Sequence, residues 1–497
     1  MIPPNATGLG VRTVETVFLL AAALAAGLLS AMAVRRYGRR MGRRWSRRAV
    51  RRHRARIDRY KLTRKAYVIE QLLADPAIAA AVARHAADSG STEEATWRIV
   101  RHYLHEIVPF FNILAYYRLG YTVSRLTLGL FYKVSVEQER PDPFRELPRD
   151  AVVIYLMNHR SNADYVLVTY VLMGAVSISY AVGEWARAFP LEVLFKSFGS
   201  YFIRRRHREP LYHAVLQAYV QLITRNGVTQ GIFPEGGLTR DGALRPAKIG
   251  LLDYALRVAA DPAVRERMYV VPVGINYDRV LEDRTLLREL ELQAQRPVTS
   301  WPGQLREVMG FVLSNLGRLL TGRWRRYGRA AVTIGAPVSV DAWLREREAA
   351  GTPLFTLPRT ERLGEVQRFC DGMLRRIGAI IPVTPVPLAC AALQSLEGDF
   401  VTRRQLLARM AEIRDVLQEL NGRVLRADRD IAETFDRAYR MLRLRQVLSR
   451  VGDGYLVLPR GRPLITYYAN SIAPLLGPFA RGIQARDRLP VDHALDG

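Results

Sequence analysis

Residues 151–165 read AVVIYLMNHRSNADY. The first seven are apolar and rich in β-branched and aromatic side chains, the next five are polar, and a second apolar run opens near Tyr165. A strand, a short polar loop and a helix in that order form the building unit of an α/β layer. The same texture recurs downstream, where residues 178–183, 200–204, 228–233, 269–275 and 331–335 read as strands and the segments after them mostly as helices. The fold class is therefore α/β. Outside this block the pattern is helical: residues 66–135 carry helical apolar spacing, and from Asp341 onward helices are expected through 382–393 and 402–450. Pro141, Asp142 and Pro143 break the first helical pattern, so a domain starts there.

His159 stands just past the strand, and a residue at the carboxyl end of a strand in an α/β sheet faces the crevice where ligands bind. Asp164 follows five residues later, about 140° away from a shared helix face, so the two can meet only with His159 in the loop and Asp164 in the first turn of the helix. In that arrangement the carboxylate fixes the imidazole tautomer, and the other ring nitrogen can take a proton from a hydroxyl. Spacing alone does not decide this, because His53 and Asp58 repeat it within an arginine-rich stretch that reads as a solvated basic helix. The strand-loop-helix context separates the two pairs. A second constellation, residues 231–242 (GIFPEGGLTRDG), ends a strand in an acid, two glycines and an arginine. Adjacent glycines let backbone N–H groups approach an anion and Arg240 can fork onto a phosphate, although an ordinary glycine turn fits as well.

The chain has 497 residues, with 74 Lys plus Arg against 47 Asp plus Glu, a net charge of +27. Of that charge, +15 falls between Arg35 and Lys65, directly after the nineteen uncharged residues 16–34, TVFLLAAALAAGLLSAMAV. As a helix those nineteen span roughly 28 Å, close to the thickness of a bilayer core. A cleaved signal peptide carries its positive charge before the apolar run, not after it. The expectation is a membrane anchor with the arginine-rich side in the cytoplasm against anionic lipid, and no nucleic-acid partner. Two cysteines, Cys370 and Cys390, cannot form a disulfide framework, and neither a phosphate-loop, GxSxG nor HExxH motif occurs. His102 and His105 lie beside Glu106 without further ligands, so no metal site is expected.

In chain order, NHRSNAD (158–164), GSYFIRR (199–205), FPEGGLTR (233–240) and VPVGINY (271–277) resemble the four sequence blocks of the glycerolipid acyltransferase superfamily. PVTP (382–385) and PLITYYANSI (463–472) further resemble C-terminal segments of its glycerol-3-phosphate and dihydroxyacetone-phosphate branch. The resemblance covers roughly residues 140–480. It implies a mixed sheet flanked by helices, and transfer of a fatty acyl group from a thioester of coenzyme A or acyl carrier protein to glycerol 3-phosphate, the first step of phospholipid synthesis. His159 is implied as general base and Asp164 as its orienter. Arg204, with Arg205 assisting, and Arg240 are implied to hold the acceptor phosphate, Glu235, Gly236 and Gly237 to shape the acceptor site, and Pro272 to lie on a supporting strand. Backbone N–H groups near Gly236 and Gly237 are expected to face the oxyanion. Leu238 stands where the family usually has arginine.

The expected layout is an N-terminal tail and anchor (1–34), a basic and helical region (35–140), an acyltransferase domain (141–345) and a helical C-terminal region (346–497). No metal or cofactor is expected beyond the acyl thioester as co-substrate; the partners are glycerol 3-phosphate, the acyl-CoA or acyl carrier protein donor and anionic membrane lipids. The cell membrane is the expected location, with the catalytic domain on its cytoplasmic side. Lysophosphatidate or dihydroxyacetone phosphate are the alternative acceptors, and a membrane-tethered scaffold with an inactive acyltransferase domain is the non-enzymatic alternative.

Overall fold

A computed structural model of the chain describes residues 59–477, apart from 113–115, 117–119, 140–146, 149, 173–175, 184–190, 205–206, 208 and 294–325. The expected anchor at 16–34, most of the arginine run and Arg205 lie outside the described residues. Eight strands form the main sheet: β1 (Lys133–Gln138), β2 (Val152–Met157), β3 (Ser179–Val182), β4 (Tyr201–Phe202), β5 (Gln230–Ile232), β6 (Met268–Tyr277), β7 (Arg329–Ile334) and β8 (Val338–Ser339). Their order is β1-β7-β6-β2-β5-β3-β4, with β8 also on β6. The sheet is mixed. β6, β2, β5, β3 and β4 run parallel, whereas β7 and β8 pair antiparallel with β6. Because β2, β4, β5 and β6 share a direction, their carboxyl ends open on one edge of the sheet.

Strand β2 is buried at every position, as expected for a strand covered on both faces. Its alternation divides the core: Val153, Tyr155 and Met157 join one hydrophobic cluster, Val152, Ile154 and Leu156 the other. The second cluster is roofed by N-terminal helices Lys65–Leu73, Pro76–Ser89 and Glu93–Ile107 together with Pro210–Arg225 and Arg359–Ala379. The first is roofed by helix Asp164–Leu172 and by the C-terminal helices Pro385–Ser395, Arg403–Glu419, Ile431–Leu444 and Arg462–Asn470. The C-terminal chain therefore covers both faces of the sheet, with 359–379 on one side and 385–476 on the other.

Two elements differ from the sequence expectation. Residues 133–138, read as the end of a helical region, form β1 and pair in parallel with β7, so the sheet draws on chain before residue 141. The C-terminal region expected to be helical also holds a three-stranded antiparallel sheet of β9 (Phe400–Thr402), β10 (Leu448–Val451) and β11 (Gly454–Val457). These strands have only three or four residues each, too few to show a period of their own, and they pair only with one another. Among the described residues no single helix is long and apolar enough to cross a membrane; the pair Lys65–Leu73 and Pro76–Ser89 passes by composition only when joined across a 61° bend.

Candidate active site

The polar loop after β2 is pinned at its first residue. Asn158 donates from Nδ2 to the Ile275 carbonyl at 2.9 Å and accepts the Ile275 N–H on Oδ1 at 2.7 Å, locking the loop to β6. His159 follows, 1% exposed, its ring stacked on Phe233 at 4.1 Å between centroids. Its Nδ1 lies 3.0 Å from Asp164 Oδ2. Asp164 opens the helix Asp164–Leu172, and the same Oδ2 also accepts the backbone N–H groups of Arg160 (2.7 Å) and Ser161 (3.0 Å). Oδ1 accepts the Tyr277 hydroxyl at 2.6 Å. Five residues of separation thus suffice because the loop wraps round a single carboxylate. An ionised carboxylate only accepts, so Nδ1 carries the proton and the lone pair of the neutral ring lies on Nε2.

The glycine-rich loop packs behind His159. Glu235, 1% exposed, accepts the His159 N–H on Oε1 (2.8 Å) and the Arg245 N–H on Oε2 (2.9 Å). Burial pushes its carboxyl up to about 7, against the opposing charge of Arg160. Glu235 thus braces the two loops against each other from behind. Gly236 has a φ of +66°, and a Cβ there would meet the Lys248 stem at 2.7 Å. Its N–H donates to the Phe233 carbonyl at 3.1 Å. Of the two expected oxyanion donors, Gly236 is therefore spent within the turn and Gly237 remains. The Thr239 N–H reaches the His159 carbonyl at 3.2 Å, which sets the partly buried Arg240 one residue from a direct link to the loop after β2.

Arg204 lies just past β4, its N–H on the Tyr212 hydroxyl at 2.8 Å. Its guanidinium forks onto Glu106 at 2.9 and 2.6 Å and sits over the Tyr103 ring at 5.3 Å. Glu106 comes from the helix Glu93–Ile107, so the N-terminal helices set where this arginine points. Pro272 lies on β6 opposite Leu156, and its carbonyl accepts the Gly335 N–H at 2.9 Å.

Three residues at the site were given no role by the sequence: Arg160 and Tyr277 lie inside quoted blocks, and Glu282 lies outside them. Arg160, 1% exposed, reaches the carbonyls of Gly242 and Ser471. Glu282 accepts the Ser161 hydroxyl at 2.7 Å and the Asn162 N–H at 3.2 Å; burial pushes its carboxyl up to about 7, with the charge of Asp164 adding to the rise. Tyr277 completes the shell of Asp164. Their partners are 82 to 311 residues away in the chain, beyond any local pattern.

Beside the histidine a cavity of about 240 Å³ opens between helices Tyr121–Phe131 and Asp164–Leu172, walled by Leu128, Phe131, Val166, Phe195 and Leu281. Tyr165 links the two, lining the cavity and setting its ring edge-on to His159 at 5.5 Å. Among the described residues no group of three or more His, Cys, Asp and Glu side chains converges as a metal site would require.

Residues 140–276 match the family described as Acyltransferase, and residues 313–480 match the Glycerol-3-phosphate acyltransferase C-terminal region. The glycerol-3-phosphate acyltransferase of Aeromonas hydrophila subsp. hydrophila is 27% identical over 433 residues, 84% of this chain and 50% of the relative. That of Actinobacillus succinogenes is 27% identical over 436 residues, again 84% of this chain and 50% of the relative. The chain spans about half the length of these curated relatives. A solved structure, the 1-acyl-sn-glycerophosphate (LPA) acyltransferase of Thermotoga maritima, covers 52% of this chain and 79% of its own at 18% identity, with a TM-score of 0.29.

Proposed function

We propose, on the premise that the chain belongs to the glycerol-3-phosphate acyltransferase family, that it moves a fatty acyl group from a thioester of coenzyme A or acyl carrier protein to a hydroxyl of glycerol 3-phosphate. The observation that carries this reading is the His159–Asp164 pair, 3.0 Å apart at the carboxyl end of β2, beside an apolar cavity. An imidazole of ordinary pKa, about 6.5, cannot ionise an alcohol outright, so the proton leaves as the oxygen attacks. His159 Nε2 takes that proton while the new C–O bond forms and the carbonyl electrons shift to oxygen. The resulting oxyanion needs a donor, and the Gly237 N–H is the one the turn leaves for it. Collapse breaks the C–S bond, and the departing thiolate takes the proton back from His159. Between those steps the imidazolium is stabilised by Asp164. Arg240, with Arg204 held by Glu106, supplies positive charge for the acceptor phosphate. No metal takes part in these steps.

The test is acyl transfer by isolated membranes with glycerol 3-phosphate, dihydroxyacetone phosphate and lysophosphatidate offered side by side. Transfer to lysophosphatidate alone overturns the acceptor assignment, and transfer to none favours a non-catalytic scaffold.

The cavity is assigned to the acyl chain, whose burial is worth about 0.8 kcal/mol per methylene. Val166→Trp, which fills it from the helix Asp164–Leu172, is expected to lower kcat/KM for the longest donors by about tenfold relative to short ones. An unchanged chain-length profile would remove the acyl chain from this cavity.

The proposed location is the cell membrane with the catalytic domain on the cytoplasmic side, supported by the apolar run 16–34 and the +15 charge that follows it. Carbonate and high salt are expected to leave the full-length chain in the membrane. A form lacking residues 1–34, held only by basic residues at about 1 kcal/mol each, should be released by salt. Release of the full-length chain by salt alone would reduce the attachment to an electrostatic one.

A further inference from the structure

The helix Arg462–Asn470 contributes no group to the chemistry above, yet it meets the acceptor loop directly. Asn470 Nδ2 donates to the Asp241 carbonyl at 2.9 Å. Gly242 takes a φ of +83°, and a Cβ there would overlap the Tyr467 carbonyl, so the loop can pass this point only as glycine. Arg160, one residue after His159, spans the junction: Nη1 donates to the Gly242 carbonyl and Nη2 to the Ser471 carbonyl at 3.0 Å. One guanidinium therefore joins the catalytic loop, the acceptor loop and the C-terminal turn. That turn is itself fixed to the sheet, because Asn276 at the end of β6 donates from Nδ2 to Ser471 Oγ at 3.2 Å and to the Pro382 carbonyl at 3.1 Å.

Arg240 sits between two tethered neighbours. Thr239 is tied to the His159 carbonyl, and Asp241 to Asn470. The distance from Arg240 to the catalytic histidine is thus set from one side by the catalytic loop and from the other by the C-terminal helix.

We propose that residues 467–471 position the acceptor loop, and Arg240 with it, against His159, with Asn470 and Arg160 as the positioning residues. The proposal rests on the acyltransferase reading above and gives the C-terminal region a task in acceptor recognition. Asn470 is half-buried at the end of its helix, so its truncation spares the core. In the full-length chain in membranes, Asn470→Ala is expected to raise the KM for glycerol 3-phosphate about three- to tenfold, the effect of one lost hydrogen bond, while the donor KM and kcat stay within about twofold. Asn470→Gln keeps an amide donor and should recover part of the loss. Hydrogen exchange read by mass spectrometry should accelerate across residues 238–246 in Asn470→Ala and in Arg160→Met, and stay unchanged in helix Arg403–Glu419. An unchanged acceptor KM, an equal rise for the donor, or unaltered exchange in the loop overturns the proposal. If the wild-type chain transfers no acyl group to any acceptor, the acyltransferase reading fails, and loop exchange alone then decides whether the C-terminal turn holds the loop.

Discussion

Replacing His159 with alanine is expected to remove acyl transfer, a fall in kcat of at least roughly 10²- to 10⁴-fold, because a positioned general base contributes on that order. The ring lies on Phe233, so its loss leaves a small void behind the loop without disturbing the Asn158 anchor to β6. A melting curve beside the rate measurement shows that the fold persists. Asp164→Asn makes a sharper comparison. The N–H groups of Arg160 and Ser161 both point at Oδ2, so the amide oxygen is held there and still accepts from His159 Nδ1. The amide nitrogen then meets the Tyr277 hydroxyl, which can turn to accept. The tautomer survives in this variant and only the negative charge beside the imidazolium is lost. It should keep its acceptor KM and lose most of kcat. His53→Ala, with the same spacing in the arginine run, should be silent. An active His159→Ala chain would sink the mechanism.

Replacing Glu235 with alanine is expected to damage activity and stability together. Its two oxygens take the N–H groups of His159 and Arg245; the buried His159 donor, once orphaned, costs roughly 1–3 kcal/mol, and the part-buried Arg245 donor less. The His159 backbone then loses its brace, and a misplacement of about 1 Å at the reacting group can cost on the order of 10²-fold in rate. Glu235→Gln adds a test by pH. The wild-type carboxyl, raised by burial from 4.5 to about 7, holds more proton in the folded chain than in the unfolded chain across that window. Its contribution to stability therefore falls as pH rises through the window and levels off above it. Glutamine cannot titrate, so the deficit of Glu235→Gln against wild type should be larger near about pH 5 than near about pH 8. Equal deficits at both would count against a carboxyl raised in this way.

The differing legibility of the parts follows from chain distance. Strand β2, the loop and the helix after it are contiguous, and their switch from a buried apolar run to polar loop to helix is written in fifteen residues. His159 and Asp164 could be paired from that context, since the loop needs only a turn to bring them together. The strands that end shortly before Arg204 and Glu235 were readable for the same reason. β1 and the sheet of β9, β10 and β11 were not: β1 finds β7, and β9 finds β11, far along the chain, while β10 and β11 form a hairpin of four-residue strands too short to show a period.

What the sequence by itself determined is the α/β layering, the strand ends that face the crevice and the identity of the histidine and aspartate placed there. Tertiary structure alone decided what those side chains rest on. Glu106 reaches Arg204 across 98 residues, Tyr277 reaches Asp164 across 113, and Arg160 meets Ser471 across 311. A hydrogen bond depends on two groups meeting within about 3 Å. Local periodicity sets which face a residue takes, whereas only the packing of distant elements on the two sides of one sheet brings such partners within that reach.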